Sequence, residues 1–215
     1  IRRSLENSCL QLLEYALTVP NGRRKFEGRI MPTGLKVNGR QTVVFVARDI
    51  TELAHSRDEL EHIATHDALT GLPNRTLLDE RLRQAVARAR RRRNYGALLV
   101  LDLDRFKQIN DSYGHDVGDA VLRDFAGCVR RVVRDVDIIG RVGGEEFAVI
   151  LPGTRLPQAM QLAETMRHAV VGLNLENPES PHGVVTITLG VSDLRPDDVF
   201  SAEDLIKHAD EALYA

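Results

Sequence analysis

The sequence is poor in cysteine, in long apolar runs and in excess charge of either sign, and each shortage removes a class of protein. Its two cysteines, Cys9 and Cys128, stand far apart with no CxxC spacing. That excludes a disulfide framework or a cysteine zinc site and suits a reducing, cytoplasmic compartment. No apolar stretch approaches the roughly 18 residues that a membrane-spanning helix needs. The chain opens at Ile1 in what reads as mid-domain sequence, so this portion is expected to be cytoplasmic while a full-length protein stays open to a membrane anchor upstream. Basic residues number 29 against 31 acidic ones, a formal net charge of −2. Bulk nucleic-acid binding is therefore not expected, and any affinity for anions has to be local. At 215 residues there is room for one domain of about 150 residues and a fragment of another.

What is present changes character along the chain. Residues 1–49 read as a turn-rich β fragment. Leu5 to Leu17 has helical or mixed periodicity; Phe26–Pro32 and Gln41–Asp49 read as strands, with Asn38-Gly39 as a hairpin signal. From Ile50 to His66 the pattern turns helical, with Ile50, Leu53, Leu60 and Ile63/Ala64 forming a stripe between charged residues. This suits a short coiled-coil connector, though a helix packed on its own domain has the same periodicity. Gly71 and Pro73 break that helix, and a new one is expected from Leu77 to Arg93. Its arginines, Arg88 and Arg90 to Arg93, read as a solvated face that complements the helix dipole. Strands are then expected over 97–103, 137–142, 147–151 and 184–192, and helices over 116–133, 156–171 and from Ser201. The whole is an α/β (α+β) sandwich with a mixed, largely antiparallel sheet, because the tight Gly143-Gly144 connection forces at least one antiparallel pair.

Two motifs carry chemistry. In Leu101-Asp102-Leu103-Asp104-Arg105-Phe106-Lys107 an apolar strand ends in two aspartates, with a lysine three residues on. Alternation puts both acids on one face, where they suit Mg²⁺ bound to a triphosphate. A solvated strand end capping the next helix fits this motif alone equally well. In Arg141-Val142-Gly143-Gly144-Glu145-Glu146-Phe147 two glycines permit a tight turn, and two glutamates enter the strand behind it. Acids from two strand ends meeting at one sheet edge are what metal-assisted nucleotidyl transfer needs.

Together these motifs resemble the diguanylate cyclase (GGDEF) family, in the form with Glu at the third signature position. Asp67–Arg75 is similar to its opening signature, Gly114–Asp119 to its guanine-side segment and Ala209–Tyr214 to its closing helix. The resemblance runs in order from about residue 62 to 215. It implies the palm-like fold of nucleotide polymerases and class III cyclases, and the joining of two GTP into cyclic di-GMP and pyrophosphate. It further implies Mg²⁺ or Mn²⁺, two ions per site, held by Asp102, the Leu103 carbonyl and Glu145, with Glu145 helping to deprotonate the 3′-hydroxyl and Glu146 as a supporting acid. Lys107 would stabilise phosphate charge, and the amides of Asp104, Arg105, Phe106 and Lys107 would cradle the β- and γ-phosphates. Asn110 and Asp119 would read guanine, with His115 in the same segment as a ligand or a capping histidine. A carboxylate at 119 can accept from guanine N1–H and N2–H₂ but would face lone pairs on adenine, which disfavours an adenylyl cyclase.

The product has two equivalent bonds, so two sites must face each other in a homodimer. Arg134 and Asp137 resemble the family's product-inhibition pair; a surface salt bridge is the plain alternative. Residues 1–49 resemble the last strands of a PAS sensor domain, whose ligand the residues do not identify, and 50–66 would be the connector that aligns two cyclases. The family pattern continues past Tyr214 to a lysine and an arginine, so 67–215 is expected to be a cyclase domain cut short at its C-terminus, and further signalling domains are possible. A second reading, a catalytically weak module that binds GTP or cyclic di-GMP, is disfavoured by the presence of Asp102, Lys107, Asn110, Asp119 and Glu145.

Overall fold

The computed structural model describes residues 10–197 and 199–215. The chain divides into two compact units, Ile1–Ala64 and Thr65–Ala215. No helix among the described residues is long and apolar enough to cross a membrane.

In the first unit, β1 (Gln11–Val19), β2 (Gly22–Val37) and β3 (Arg40–Asp49) pair antiparallel in that order. The helical or mixed reading of Leu5–Leu17 is corrected here: residues 11–17 are strand, and 5–9 lie outside the described residues. Pairing along the whole of β1 and stacking of Tyr15 on Phe26 (5.7 Å between centroids) outweigh local periodicity. Asn38 and Gly39 both take positive φ (50° and 76°), the primed turn that matches strand twist. β2 carries Pro32 mid-strand, and the register shifts between Pro32 and Lys36, where the missing N–H interrupts the ladder. Helix α1 (Thr51–Thr65) follows, with Asp49 accepting from the Thr51 N–H (3.0 Å) and hydroxyl (2.6 Å) at its start. It buries Ala54 while Leu53, Leu60 and Ile63 remain 63–72% exposed.

The second unit is a four-stranded sheet between two helical layers. Its strands are β4 (Gly96–Leu103), β5 (Ile138–Gly143), β6 (Glu146–Pro152) and β7 (Ile187–Leu194), in the order β5-β6-β4-β7, with every pairing antiparallel. Alternation sorts the side chains. Leu99, Leu101 and Leu103 of β4 and Phe147, Val149 and Leu151 of β6 bury against α4 (His115–Val132) and α5 (Leu156–Val171), where Phe125 meets Phe147 edge-on at 4.6 Å. On the other face Leu98, Val100, Ala148 and Ile150 pack against α2 (Arg75–Arg92) and α6 (Ala202–Leu213). A short helix not anticipated from sequence, α3 (Phe106–Tyr113), follows β4 and buries Phe106 and Ile109. β7 begins three residues later than expected, because Val184 makes only an isolated bridge to Glu176.

Candidate active site

The acid motifs meet because β4 and β6 are neighbours running in opposite directions. Asp102 stands opposite Glu146 on one side and Thr188 on the other. The Leu103 N–H reaches the Glu145 carbonyl at 3.4 Å. Gly144, at φ 49°, turns the chain between β5 and β6 and so presents Glu145 beside the end of β4. Burial, then the negative charges of Glu145, Glu146 and Asp104, push the Asp102 carboxyl up to about 6. Among the described residues no three His, Cys, Asp or Glu side chains form a closed metal-binding cluster. The donors fit a hard divalent cation instead: one or two carboxylates and a backbone carbonyl, with phosphate and water oxygens completing the shell.

Asp104 is engaged elsewhere. Its carboxylate accepts from the Thr186 and Thr188 hydroxyls, both at 2.6 Å, and its N–H donates to the Thr186 carbonyl at 3.0 Å. The Asp104 amide, the first of the four expected to cradle phosphate, is thus bonded within the fold, and Arg105, Phe106 and Lys107 follow it. Arg105 adopts the left-handed conformation (φ 58°, ψ 29°) and caps α3 with no side-chain bond, and its guanidinium donates to the Glu179 carbonyl at 2.8 Å. The first-turn amides of Phe106 and Lys107 have no intrahelical acceptor by position. The Lys107 side chain is exposed beside them.

The tight α3–α4 junction at Gly114 sets Asn110 beside the residue that precedes Asp119. The Asn110 carboxamide packs against Gly118, occupying the space where a Cβ would lie. Half-buried Asp119 is the next residue, with Arg123 one turn on at 3.9 Å. His115 is exposed at the first position of α4.

Arg134 and Asp137 form a closed pair. Asp137 Oδ2 accepts from the Arg134 N–H (3.0 Å) and Nε (2.9 Å), and Oδ1 accepts from Nη2 (2.6 Å), which also donates to the Thr154 hydroxyl. The Asp137 side chain is fully buried whereas that of Arg134 is 56% exposed. The bond to Asp137 raises the Arg134 guanidinium above its ordinary value despite partial burial. A cavity of about 260 Å³ adjoins the pair, lined also by Gln158, Gln161 and Thr165.

Sequence reasoning assigned no role to Arg141, Asp67, Thr186 or Thr188. Arg141 Nη1 bonds both Asp67 carboxylate oxygens at 3.1 Å, while Nε and Nη2 donate to the Gly144 carbonyl at 3.0 and 2.8 Å. Burial raises the Asp67 carboxyl, but the bonds from Thr70 and Arg141 more than offset this and hold it below its usual range. One guanidinium thus fastens the turn before the glutamates to the start of the unit.

A mixed sandwich with acids on adjacent strand ends and a tight glycine turn defines a palm-type nucleotidyl cyclase fold. The family model described as "Diguanylate cyclase, GGDEF domain" matches residues 64–215, and the chain belongs to that family. It is 43% identical over 163 residues to diguanylate cyclase DgcP of Pseudomonas aeruginosa, covering 75% of this chain and 23% of that protein. To diguanylate cyclase DgcM of Escherichia coli it is 37% identical over 184 residues, covering 84% and 42%. The chain thus spans less than half the length of either relative. The crystal structure of the coiled coil and GGDEF domain of DgcB from Caulobacter crescentus, in complex with c-di-GMP, matches with a TM-score of 0.70 and 32% identity, covering 77% of this chain and 87% of that one. The active GGEEF domain of a Vibrio cholerae diguanylate cyclase matches with a TM-score of 0.57 and 38% identity, covering 66% and 88%.

Proposed function

We propose that residues 67–215 are a diguanylate cyclase domain that joins two GTP into cyclic di-GMP with release of pyrophosphate. The observation that carries this is the convergence of Glu145, Glu146 and Asp104 on the half-buried Asp102, whose carboxyl they help to raise to about 6. Asp102, Glu145 and the Leu103 carbonyl would hold Mg²⁺ or Mn²⁺, two ions per site. When bound, such ions lower the pKa of a ribose hydroxyl and neutralise charge at phosphorus. Glu145 accepts the 3′-hydroxyl proton and Glu146 supports it. Lys107 and the amides of Arg105 to Lys107 hold the β- and γ-phosphates at the start of α3. Asn110 and Asp119 read the guanine edge, with His115 at the rim of the same segment.

Each domain holds one GTP, so the competent species is a homodimer. Leu53 and Leu60, seven residues apart and exposed on α1, supply a heptad seam for it. The named coiled coil of the DgcB structure supports this reading of residues 50–66 as the connector. Residues 1–49 are read as the end of a PAS-type sensor, and Arg134 with Asp137 as the site where cyclic di-GMP inhibits. Incubation with GTP and Mg²⁺, followed by chromatography, tests the activity. Cyclic di-GMP is expected from the wild type and none from Glu145→Gln, which keeps the side-chain volume but removes a carboxylate. Unchanged turnover in that variant would remove Glu145 from the chemistry.

A further inference from the structure

We propose a second binding site in the Thr65–Ala215 unit, for a small organic anion with an apolar tail, at the end of the sheet opposite the acids. β4 runs from this site, at Gly96, to the acid edge at Leu103, a span of about 24 Å at the usual rise per strand residue. The site is therefore separate from the proposed cyclase centre and does not depend on it.

The cavity lies between the second half of α2 and the sheet and has a volume of about 250 Å³. Its origin is a shortage of side-chain volume. Ala85 and Ala89 of α2 and Gly96 of β4 line a space that larger residues would fill. Val86, Ile138, Ile150 and Leu205 supply the apolar wall. At about 30 Å³ for each water-sized volume, the space accepts about eight non-hydrogen atoms.

The charge at its margin is unbalanced. Arg81, Arg88 and Arg92 recur on α2 at spacings of seven and four, which places them on one side of the helix beside Ala85, and all three line the cavity. Three of their neighbours on the outer face are matched: Arg83 pairs with Glu203, Arg93 with Asp197, and Arg90 donates to the Phe200 carbonyl, while Arg91, which is exposed and does not line the cavity, has no side-chain partner among the described residues. Arg81, Arg88 and Arg92 have no hydrogen-bond or ion-pair partner among the described residues. A solvated face explains the matched arginines, yet it leaves three unmatched cations beside an apolar hollow. Guanidinium forks take carboxylates or phosphates bidentately, and the hollow takes the tail. The chemistry is that of a medium-chain acyl or aryl anion.

The test is calorimetric titration of the full chain with butanoate, hexanoate, octanoate and decanoate, with octyl phosphate and octanol alongside. Affinity should rise about fourfold per methylene while the tail still fits, then level off near octanoate. Octyl phosphate should bind and octanol should not. The double variant Arg88→Gln/Arg92→Gln should weaken octanoate at least about tenfold. Ala85→Leu should move the preferred tail to a shorter chain, a readout that survives some loss of stability. The proposal is overturned by the absence of saturable binding, by affinity still climbing through decanoate, by equal binding of octanol, or by affinities that neither variant changes.

Discussion

Gly118→Ala separates two effects that a single methyl group sets against each other. Gly118 lies inside α4, so alanine raises helix propensity by about 1 kcal/mol. The same methyl would stand 3.0 Å from Asn110 Cγ and 3.2 Å from Phe106 Cζ, and would overlap the Asn110 amide oxygen. Overpacking of that kind costs about 1–3 kcal/mol if nothing moves. Phe106 is a core residue at 5% exposure and cannot yield, whereas Asn110 is only half-buried. Asn110 is therefore the group that moves, and the fold recovers most of the penalty while the proposed guanine contact is lost. The melting temperature should stay near that of wild type. The KM for GTP should rise about 5- to 150-fold, the range for leaving a polar partner unmatched. Initial rates of pyrophosphate release across GTP concentrations measure this. The double variant Asn110→Ala/Gly118→Ala should be no worse than Asn110→Ala alone, since the collision is the only cause. A wild-type KM in Gly118→Ala, or additive losses in the double variant, would refute the reasoning.

Arg141→Met should lower stability by about 1–3 kcal/mol and reduce kcat, because Asp67 keeps only its bonds from Thr70 and the Gly144 carbonyl loses the guanidinium; thermal melts and turnover check this. The pH dependence has a defined sign. Asp102 moves from an ordinary 3.8 to about 6 in the folded protein, so the folded state binds more protons between those values and metal-free stability falls as pH rises through that window. Denaturant titrations in a chelator from pH 4 to 7 should show that slope, and Asp102→Asn should flatten it. Arg134→Ala should relieve inhibition by cyclic di-GMP. It should also destabilise the fold by about 1–3 kcal/mol, because buried Asp137 keeps only the bond from the residue 134 N–H; inhibition curves and melts on the same samples report both.

The parts legible from sequence are those governed by short-range periodicity. Helix α5 matches its expected bounds, and the acids of Asp102 and Glu145 meet as the strand-end argument requires, because β6 doubles back beside β4. Helix α3 was hidden because it starts on a left-handed Arg105 with no capping side chain, inside a stretch that reads as a ligand loop. The Arg141–Asp67 pair joins residues 74 positions apart, and no periodicity reports such a contact. The engagement of Asp104 by Thr186 and Thr188 depends on the register of β7, which only the assembled sheet defines. In β1 the local pattern was misleading, since pairing with β2 outweighs it.

The strand order β5-β6-β4-β7 has a consequence for dynamics. The two strands that carry Asp102 and Glu146 are the interior pair, so their amides are bonded on both sides and shielded by both helical layers. Local opening begins where such protection is thin, and here that is the outer strands and the exposed turns of α3 and α4. The acid edge is therefore held in place by the slowest-exchanging part of the sheet, while the segment carrying Asn110, His115 and Asp119 rides on structure that can open without disturbing it. A division of this kind would keep the charge geometry of the proposed cyclase site constant and leave adjustment to the side proposed to admit and release the guanine base.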